Sequence, residues 1–403
     1  MILKKELKMV LMKQQEDLQR DLGVERDISL KILPKFATII SGVRRCGKST
    51  LARQYLRRTS PVYYIRFEDI SLTGFELNDF NKAEEVFSEM FGEGGTYFFD
   101  EIQNIKGWEN YVRQLIDRGE KVIITGSNAA MLSSELGTKL TGRHLSGELY
   151  PFSYNEFLKL RNSDHSLQLF DDYIGMGGFP EYLKTDDPSV LRNLFQDIFY
   201  RDIMQRNELR SETAIKMLLY YVISNIGKET SYNKLKNLTG AGSVNSVSQF
   251  VYHFEMAYML FELRKFDYSV KKQMVNPKKL YCVDNGLISQ NAFSFSENKG
   301  RMLENLVFLQ LKREGKDLFY HRGIYECDFV IRIGTKIREA IQVCYELSSD
   351  NRQREINGLI EAMETYGLKE GLLLTYDEED IIKVDNRTLR ILPVWKLILG
   401  PGS

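Results

Sequence analysis

Nine consecutive residues, Gly42-Val43-Arg44-Arg45-Cys46-Gly47-Lys48-Ser49-Thr50, carry two glycines, a lysine and two hydroxyls at a spacing suited to gripping phosphate. Glycine lets a backbone curl until its N–H groups converge on phosphate oxygens. Lys48 would neutralise the β- and γ-phosphates of a nucleotide, and Ser49 would offer its hydroxyl to Mg²⁺. The residues before the loop, Phe36 to Ile40, are β-prone, and Leu51 to Arg57 read as a helix. A strand thus enters the loop and a helix N-terminus, with its favourable dipole, leaves it.

A second acidic element follows about 50 residues later: Thr96-Tyr97-Phe98-Phe99-Asp100-Glu101. Four β-prone residues ending in two acids place carboxylates at a strand's C-terminal end, where Mg²⁺-bound phosphate would lie. Asp100 would help hold the Mg²⁺ shell and Glu101 would polarise the attacking water. A third strand, Lys121 to Thr125, ends in Gly126-Ser127-Asn128. Asn128 or Ser127 is the candidate sensor of the γ-phosphate, although the triplet is equally good turn chemistry. Arg143 is the candidate arginine finger, against the plainer reading of a surface charge.

These segments resemble a widespread group of prokaryotic ATPases of the AAA+ superfamily. The phosphate loop matches that group's Gly-x-Arg-Arg-x-Gly-Lys-[Ser/Thr]-[Ser/Thr]. Later segments resemble other parts of that group's sequences: Leu149-Tyr-Pro-Phe-Ser-Tyr-Asn-Glu-Phe, Gly177-Gly-Phe-Pro-Glu-Tyr-Leu and Tyr281-Cys-Val-Asp-Asn-Gly-Leu. The resemblance covers nearly the whole chain. It implies an α/β fold: a P-loop core with a parallel sheet, a helical lid, a winged helix and a C-terminal domain similar to restriction endonucleases. ATP rather than GTP also rests on it.

The elements that must position these residues occupy 403 residues, enough for two to three domains. The expected division is 1–150 for the ATPase core with an N-terminal helix, 151–226 for the lid, 227–290 for the winged-helix-like module and 291–399 for the nuclease-like domain. Residues 400–403 read as a tag remnant. Equal numbers of basic and acidic residues, 55 of each, exclude a histone-like chain and an acidic tail protein. The four cysteines form no CxxC pair, so neither zinc nor disulfides are indicated and a reduced, cytoplasmic setting is expected. No segment reads as a signal peptide or a membrane span, so no membrane partner is expected.

Within 227–290, Tyr232 to Leu238 and a longer helix capped by Ser243 read as helix-turn-helix. Two strands around Leu260–Phe266 and Lys278–Val283 would form the wing. Between Lys228 and Lys279, nine basic residues stand against four acids, a local charge of +5. Lys234, Lys236, Arg264, Lys265, Lys271 and Lys272 are the candidate contacts to DNA phosphates. The outer face of the longer helix holds no Arg or Lys to read guanine, which favours nonspecific contact. Self-association is the other candidate partnership.

The C-terminal α-β-β-β-α-β order resembles the PD-(D/E)xK nuclease core. Glu304 and Asp328 stand where its first two acids belong. Gln342 and Cys344 stand where Glu and Lys are expected, and a neutral amide is a poor Mg²⁺ ligand. Glu346, expected on the same strand face, is a weak substitute. A folded but degenerate nuclease site follows. The leading function is therefore an Mg²⁺-dependent ATPase acting as a nucleotide switch. An ATP-regulated DNA nuclease and a nucleotide-gated binding module with little turnover are the alternatives.

Overall fold

The computed structural model describes residues 2–18, 22–129, 139–140, 142–209, 211–292 and 299–400. The expected tag remnant at 401–403 lies outside the described residues. The chain forms two compact units, residues 1–150 with 256–258, and residues 151–255 with 259–403.

The first unit is built on strands whose residues are apolar on both faces. β1 (Ala37–Ser41) and β3 (Thr96–Asp100) are buried at every position. Near-continuous apolar runs of this kind belong to parallel sheets covered on both sides. They join β2 (Val62–Arg66), β4 (Lys121–Gly126) and β5 (His144–Glu148) in a five-stranded sheet ordered β2-β3-β4-β1-β5. Each neighbouring pair is parallel. Helices α1 (Lys4–Asp17), α3 (Asp79–Phe91) and α4 (Trp108–Asp117) contribute to its core. In α4, Trp108, Tyr111, Val112, Leu115 and Ile116 recur at three- and four-residue steps and are all buried. Tyr111 stacks on Phe80 of α3 with ring centroids 4.1 Å apart.

Among the described residues, the second unit begins with five α-helices and one π-helical segment (Ile198–Gln205) between Tyr154 and Ile223, interrupted at Gly177-Gly178-Phe179 as the glycine pair suggests. The two helices expected after residue 227 span Tyr232–Thr239 and Val244–Met256. Ser243 Oγ accepts the Ser246 N–H at 3.0 Å, as a cap should. Val247, Phe250, Val251 and Phe254 form the buried stripe, whereas Val244 is 40% exposed. β6 (Leu260–Arg264) and β7 (Lys278–Cys282) pair antiparallel. The C-terminal part carries helices Lys299–Arg313 and Arg352–Tyr366 with β8 (Asp317–Arg322), β9 (Glu326–Ile333), β10 (Lys336–Val343) and β11 (Glu370–Thr375). β12 (Asp380–Val384) and β13 (Arg387–Pro393) extend this sheet to the order β12-β13-β11-β10-β9-β8. The stretches 151–226, 227–290 and 291–399 share this one unit, apart from residues 256–258.

Candidate nucleotide site

The loop leaves the C-terminal end of β1 and enters helix α2 (Lys48–Leu56). Gly42 is obligatory there, because a Cβ would stand 2.1 Å from the carbonyl oxygen of Leu149. Gly47 has φ +104°, a left-handed geometry that costs glycine little. Val43 and Cys46 are buried, Arg44 is half-buried against Glu68 at 2.8 Å, and Arg45 is exposed. Cys46 donates its thiol to Leu149 O at 3.3 Å, and burial pushes that thiol's pKa up. Thr50 accepts from Arg53 at 3.1 Å, so its hydroxyl serves the helix.

Parallel register brings the second element alongside. Ser41 is level with Gly126, Phe99 with Ile124, and Arg66 with Asp100, so the polar strand ends lie together. Ser49 Oγ donates to Asp100 Oδ1 at 2.8 Å. Lys48, 4% exposed, donates to the carbonyls of Gly42 at 3.2 Å and Val43 at 3.1 Å. Its ammonium also lies 3.2 Å from Glu101 Oε1. Burial alone would lower the Lys48 pKa, but its neighbours, Glu101 foremost with Cys46 and Asp100, together raise it and hold the ammonium charged. Glu101 answers in kind: burial opposes its charge, yet Lys48 and Gln103 hold its pKa below the usual carboxylate value. Burial and the Glu101 charge raise that of Asp100.

Gln103, Thr125, Arg26 and Tyr258 join the site without having been candidates in the sequence. Gln103 donates to Glu101 Oε2 at 2.5 Å, and the Ser127 backbone N–H donates to the same oxygen at 3.2 Å. Thr125 Oγ1 bridges the pair, donating to Asp100 at 2.5 Å and accepting the Glu101 N–H at 3.0 Å. Arg26, buried beneath the loop, donates to Cys46 O at 2.8 Å and Tyr150 O at 2.6 Å. Tyr258 pairs its hydroxyl with Ser41 Oγ at 2.7 Å. Only Gln103, two residues beyond the acidic pair, could have been suspected from spacing.

Asn128 lies two residues beyond β4 at this same end of the sheet. Arg143 does not join the site. It precedes β5, whose first residue is level with Ala37 at the opposite end of β1, and it pairs with Asp117 at 2.5 Å. The sequence places Arg143 only six residues before Leu149, but an extended strand carries those residues away from the loop. As a finger for the phosphates of its own chain, Arg143 is corrected by this placement.

The donor set fits the nucleotide and metal implied. A hydroxyl and a carboxylate, Ser49 and Asp100, lie together beside a buried lysine whose present partners are loop carbonyls and one carboxylate. Hard oxygen ligands of this kind suit Mg²⁺.

In the second unit, Glu304, Asp328, Gln342 and Cys344 also come together, though not as a metal site. Among the described residues no group of three or more His, Cys, Asp and Glu side chains is arranged to hold a metal ion. Gln342 accepts the Asp328 N–H at 3.2 Å and donates to Glu355 at 2.6 Å. Cys344 donates to Glu346 O at 2.9 Å. β10 ends at Val343, so Glu346 lies beyond the strand rather than on its face. Lys279 is buried among the acids, 2.8 Å from Asp328 Oδ1. Burial and the Glu304 charge push the Asp328 pKa up, while Lys279 pulls it down. Burial opposes the charge on Lys279, and its carboxylates, Asp328 foremost, more than restore it.

Not all of the local charge of +5 faces solvent. Lys279 is spent on these acids, and Lys278 is buried with its ammonium on the carbonyls of Met274 and Asn276. Lys234, Arg264, Lys271 and Lys272 are exposed, while Lys236 and Lys265 are half-buried.

Comparison with known proteins agrees with the first site. A family model described as an AAA domain matches residues 34–158, and one described as a domain of unknown function (DUF8612) matches 167–297. The chain is 35% identical over 405 residues to the uncharacterized protein MJ1544 of Methanocaldococcus jannaschii, covering 93% of this chain and 90% of that one. An uncharacterized protein of Haemophilus influenzae is 29% identical over 341 residues, covering 79% and 85%. The crystal structure of Cdc6p from Pyrobaculum aerophilum aligns with 64% of this chain and 86% of its own at 12% identity, but its TM-score of 0.26 is too low to support an argument. The phosphate loop and the acidic strand end both lie inside the matched AAA domain, and the chain belongs to the family of the archaeal protein MJ1544.

Proposed function

We propose that the chain binds Mg²⁺-ATP on residues 42–50, hydrolyses it, and uses the bound nucleotide as a switch over its winged-helix-like and degenerate nuclease-like parts. One observation carries this reading: Lys48, Ser49, Asp100 and Glu101 converge, with Lys48 3.2 Å from Glu101 and Ser49 2.8 Å from Asp100. Ser49 and Asp100 would hold Mg²⁺, which when bound neutralises charge on the phosphate oxygens. Lys48 would leave the loop carbonyls for the β- and γ-phosphates. That exchange takes Lys48 away from Glu101 and leaves the carboxylate free to accept a proton from water. Gln103 and the Ser127 amide keep Glu101 aimed while it does so. Asn128 is the residue proposed to contact the γ-phosphate.

Lys48→Ala should abolish ATP binding in titration calorimetry, and unchanged affinity would defeat the assignment. Glu101→Gln should retain binding and lose steady-state hydrolysis. The exposed lysines and arginine between residues 234 and 272 support DNA as the partner, through phosphate contacts without base reading. Gln342 and Cys344 weigh against retained nuclease chemistry.

A further inference from the structure

The acid cluster of the second unit holds a cation that nucleotide hydrolysis does not use. Glu304 comes from the helix Lys299–Arg313, and Glu326 and Asp328 from β9. The ammonium of Lys279, on β7, lies 2.9 Å from Glu304, 2.7 Å from Glu326 and 2.8 Å from Asp328. Its side chain is 1% exposed. An ammonium has three N–H donors; this one donates to Glu304 and Asp328 and forms an ion pair with Glu326. Tyr281, two residues along β7, donates to Glu304 at 2.6 Å. The second oxygen of Asp328 accepts the Val343 N–H at 3.0 Å.

Gln342 changes the charge that this arrangement must balance. Buried carboxylates need a compensating cation. In a nuclease site that cation is divalent, and an acid on the third strand contributes to the balance. Here the third-strand acid is an amide, which removes one negative charge. An ammonium in place of a divalent ion removes one positive charge. Those two departures offset each other, while Glu326 adds a negative charge and Cys344 in place of lysine removes a positive one, so the cluster keeps an excess of acid around Lys279. The lysine missing at Cys344 is not replaced in kind, because Lys279 comes from a different strand and points at the acids themselves.

We propose that the Lys279 ammonium is a resident cation in the position that a divalent metal takes in sites of this layout. It makes the acid cluster a metal-independent clamp tying β7 to β9 and the helix carrying Glu304. The proposal rests on reading residues 299–375 as a degenerate nuclease core.

The test is Mn²⁺ binding to the nucleotide-free, full-length protein by electron paramagnetic resonance, with thermal unfolding as the second readout. Wild type and Asp328→Asn should retain equal Mn²⁺. Lys279→Ala should unfold at lower temperature, gain one Mn²⁺ equivalent, and recover stability with that ion. Adding Asp328→Asn to Lys279→Ala should remove the gained ion. Wild-type Mn²⁺ that Asp328→Asn abolishes would overturn the proposal, as would a folded Lys279→Ala that gains none. If Lys279→Ala does not fold, Lys279→Met/Asp328→Asn, which removes one charge of each sign, should fold better than Lys279→Met alone. Equal failure of both would overturn the charge argument. Mg²⁺-dependent plasmid cleavage by wild type would instead defeat the underlying reading of the domain as inactive. Uncut plasmid with wild-type Mn²⁺ held at Asp328 would defeat only the clamp.

Discussion

Lys48 and Glu101 neutralise each other in a buried place, so each is costly to remove alone. Gly42 sets a second constraint at this scale. Its missing Cβ would overlap Leu149 O, so Gly42→Ala must push the loop away from the sheet. We expect a loss of about 1–3 kcal/mol in unfolding free energy, typical of overpacking, together with weaker ATP binding in the same preparation. Asp284 provides a pH test in the second unit. It accepts the backbone N–H of Gly178 at 2.6 Å and that of Leu287 at 3.3 Å, and burial raises its pKa to about 7. A folded-state pKa above the unfolded 3.8 means the folded protein prefers the protonated acid. That preference contributes fully below the unfolded pKa and fades as pH rises through about 7. Wild-type stability relative to Asp284→Asn should therefore fall between those two values. The limit is roughly 4 kcal/mol at 1.4 kcal/mol per pKa unit. A difference independent of pH, in denaturant titrations, would contradict it.

Strands and loops decide which residues meet. Parallel pairing aligns the ends of β1, β3 and β4, and with them the loop, the acids and Thr125. The same pairing puts Arg143 at the far end of β1. Arg26 shows how a distant segment shapes the loop. Its guanidinium binds two carbonyls, one in the loop and one just after β5. Hydrogen bonds from a charged donor contribute about 1.5–3 kcal/mol each. Arg26→Met should therefore weaken ATP binding by at least about tenfold while the helical content stays unchanged. Wild-type affinity by calorimetry would show that the loop keeps its shape without this support.

Zero net charge describes the whole chain but no single surface of it. Two of nine lysines and arginines in 228–279 are buried on acids or carbonyls, and Arg264 is paired with Glu262 at 2.8 Å. The exposed pair Lys271 and Lys272 lies between β6 and β7. If this stretch contacts DNA phosphates, Lys271→Glu/Lys272→Glu should weaken binding to any sequence alike. The slope of log affinity against log salt should become shallower by about two, one for each lost phosphate contact. An unchanged slope in gel-shift titrations would move the partner elsewhere. Among the described residues no helix is long and apolar enough to cross a membrane, and the four cysteines are free and buried.

Local chemistry made the phosphate loop, the acidic strand end and most helices legible in the sequence, because glycine spacing, capping and apolar periodicity act over a few residues. Phe98-Phe99-Asp100-Glu101 announces a buried strand ending in carboxylates without any knowledge of its neighbours. Contacts between distant segments have no such signature. Arg26 beneath the loop, Tyr258 on Ser41 and the exclusion of Arg143 depend on where strands place residues far apart in the chain. Lys279 is the clearest case. In sequence it is one more positive charge in a basic stretch, expected to face solvent. Only the packing of β7 against β9 and the Glu304 helix turns it inward, because the buried Asp328 and the half-buried Glu304 and Glu326 there require a cation and this one is within reach.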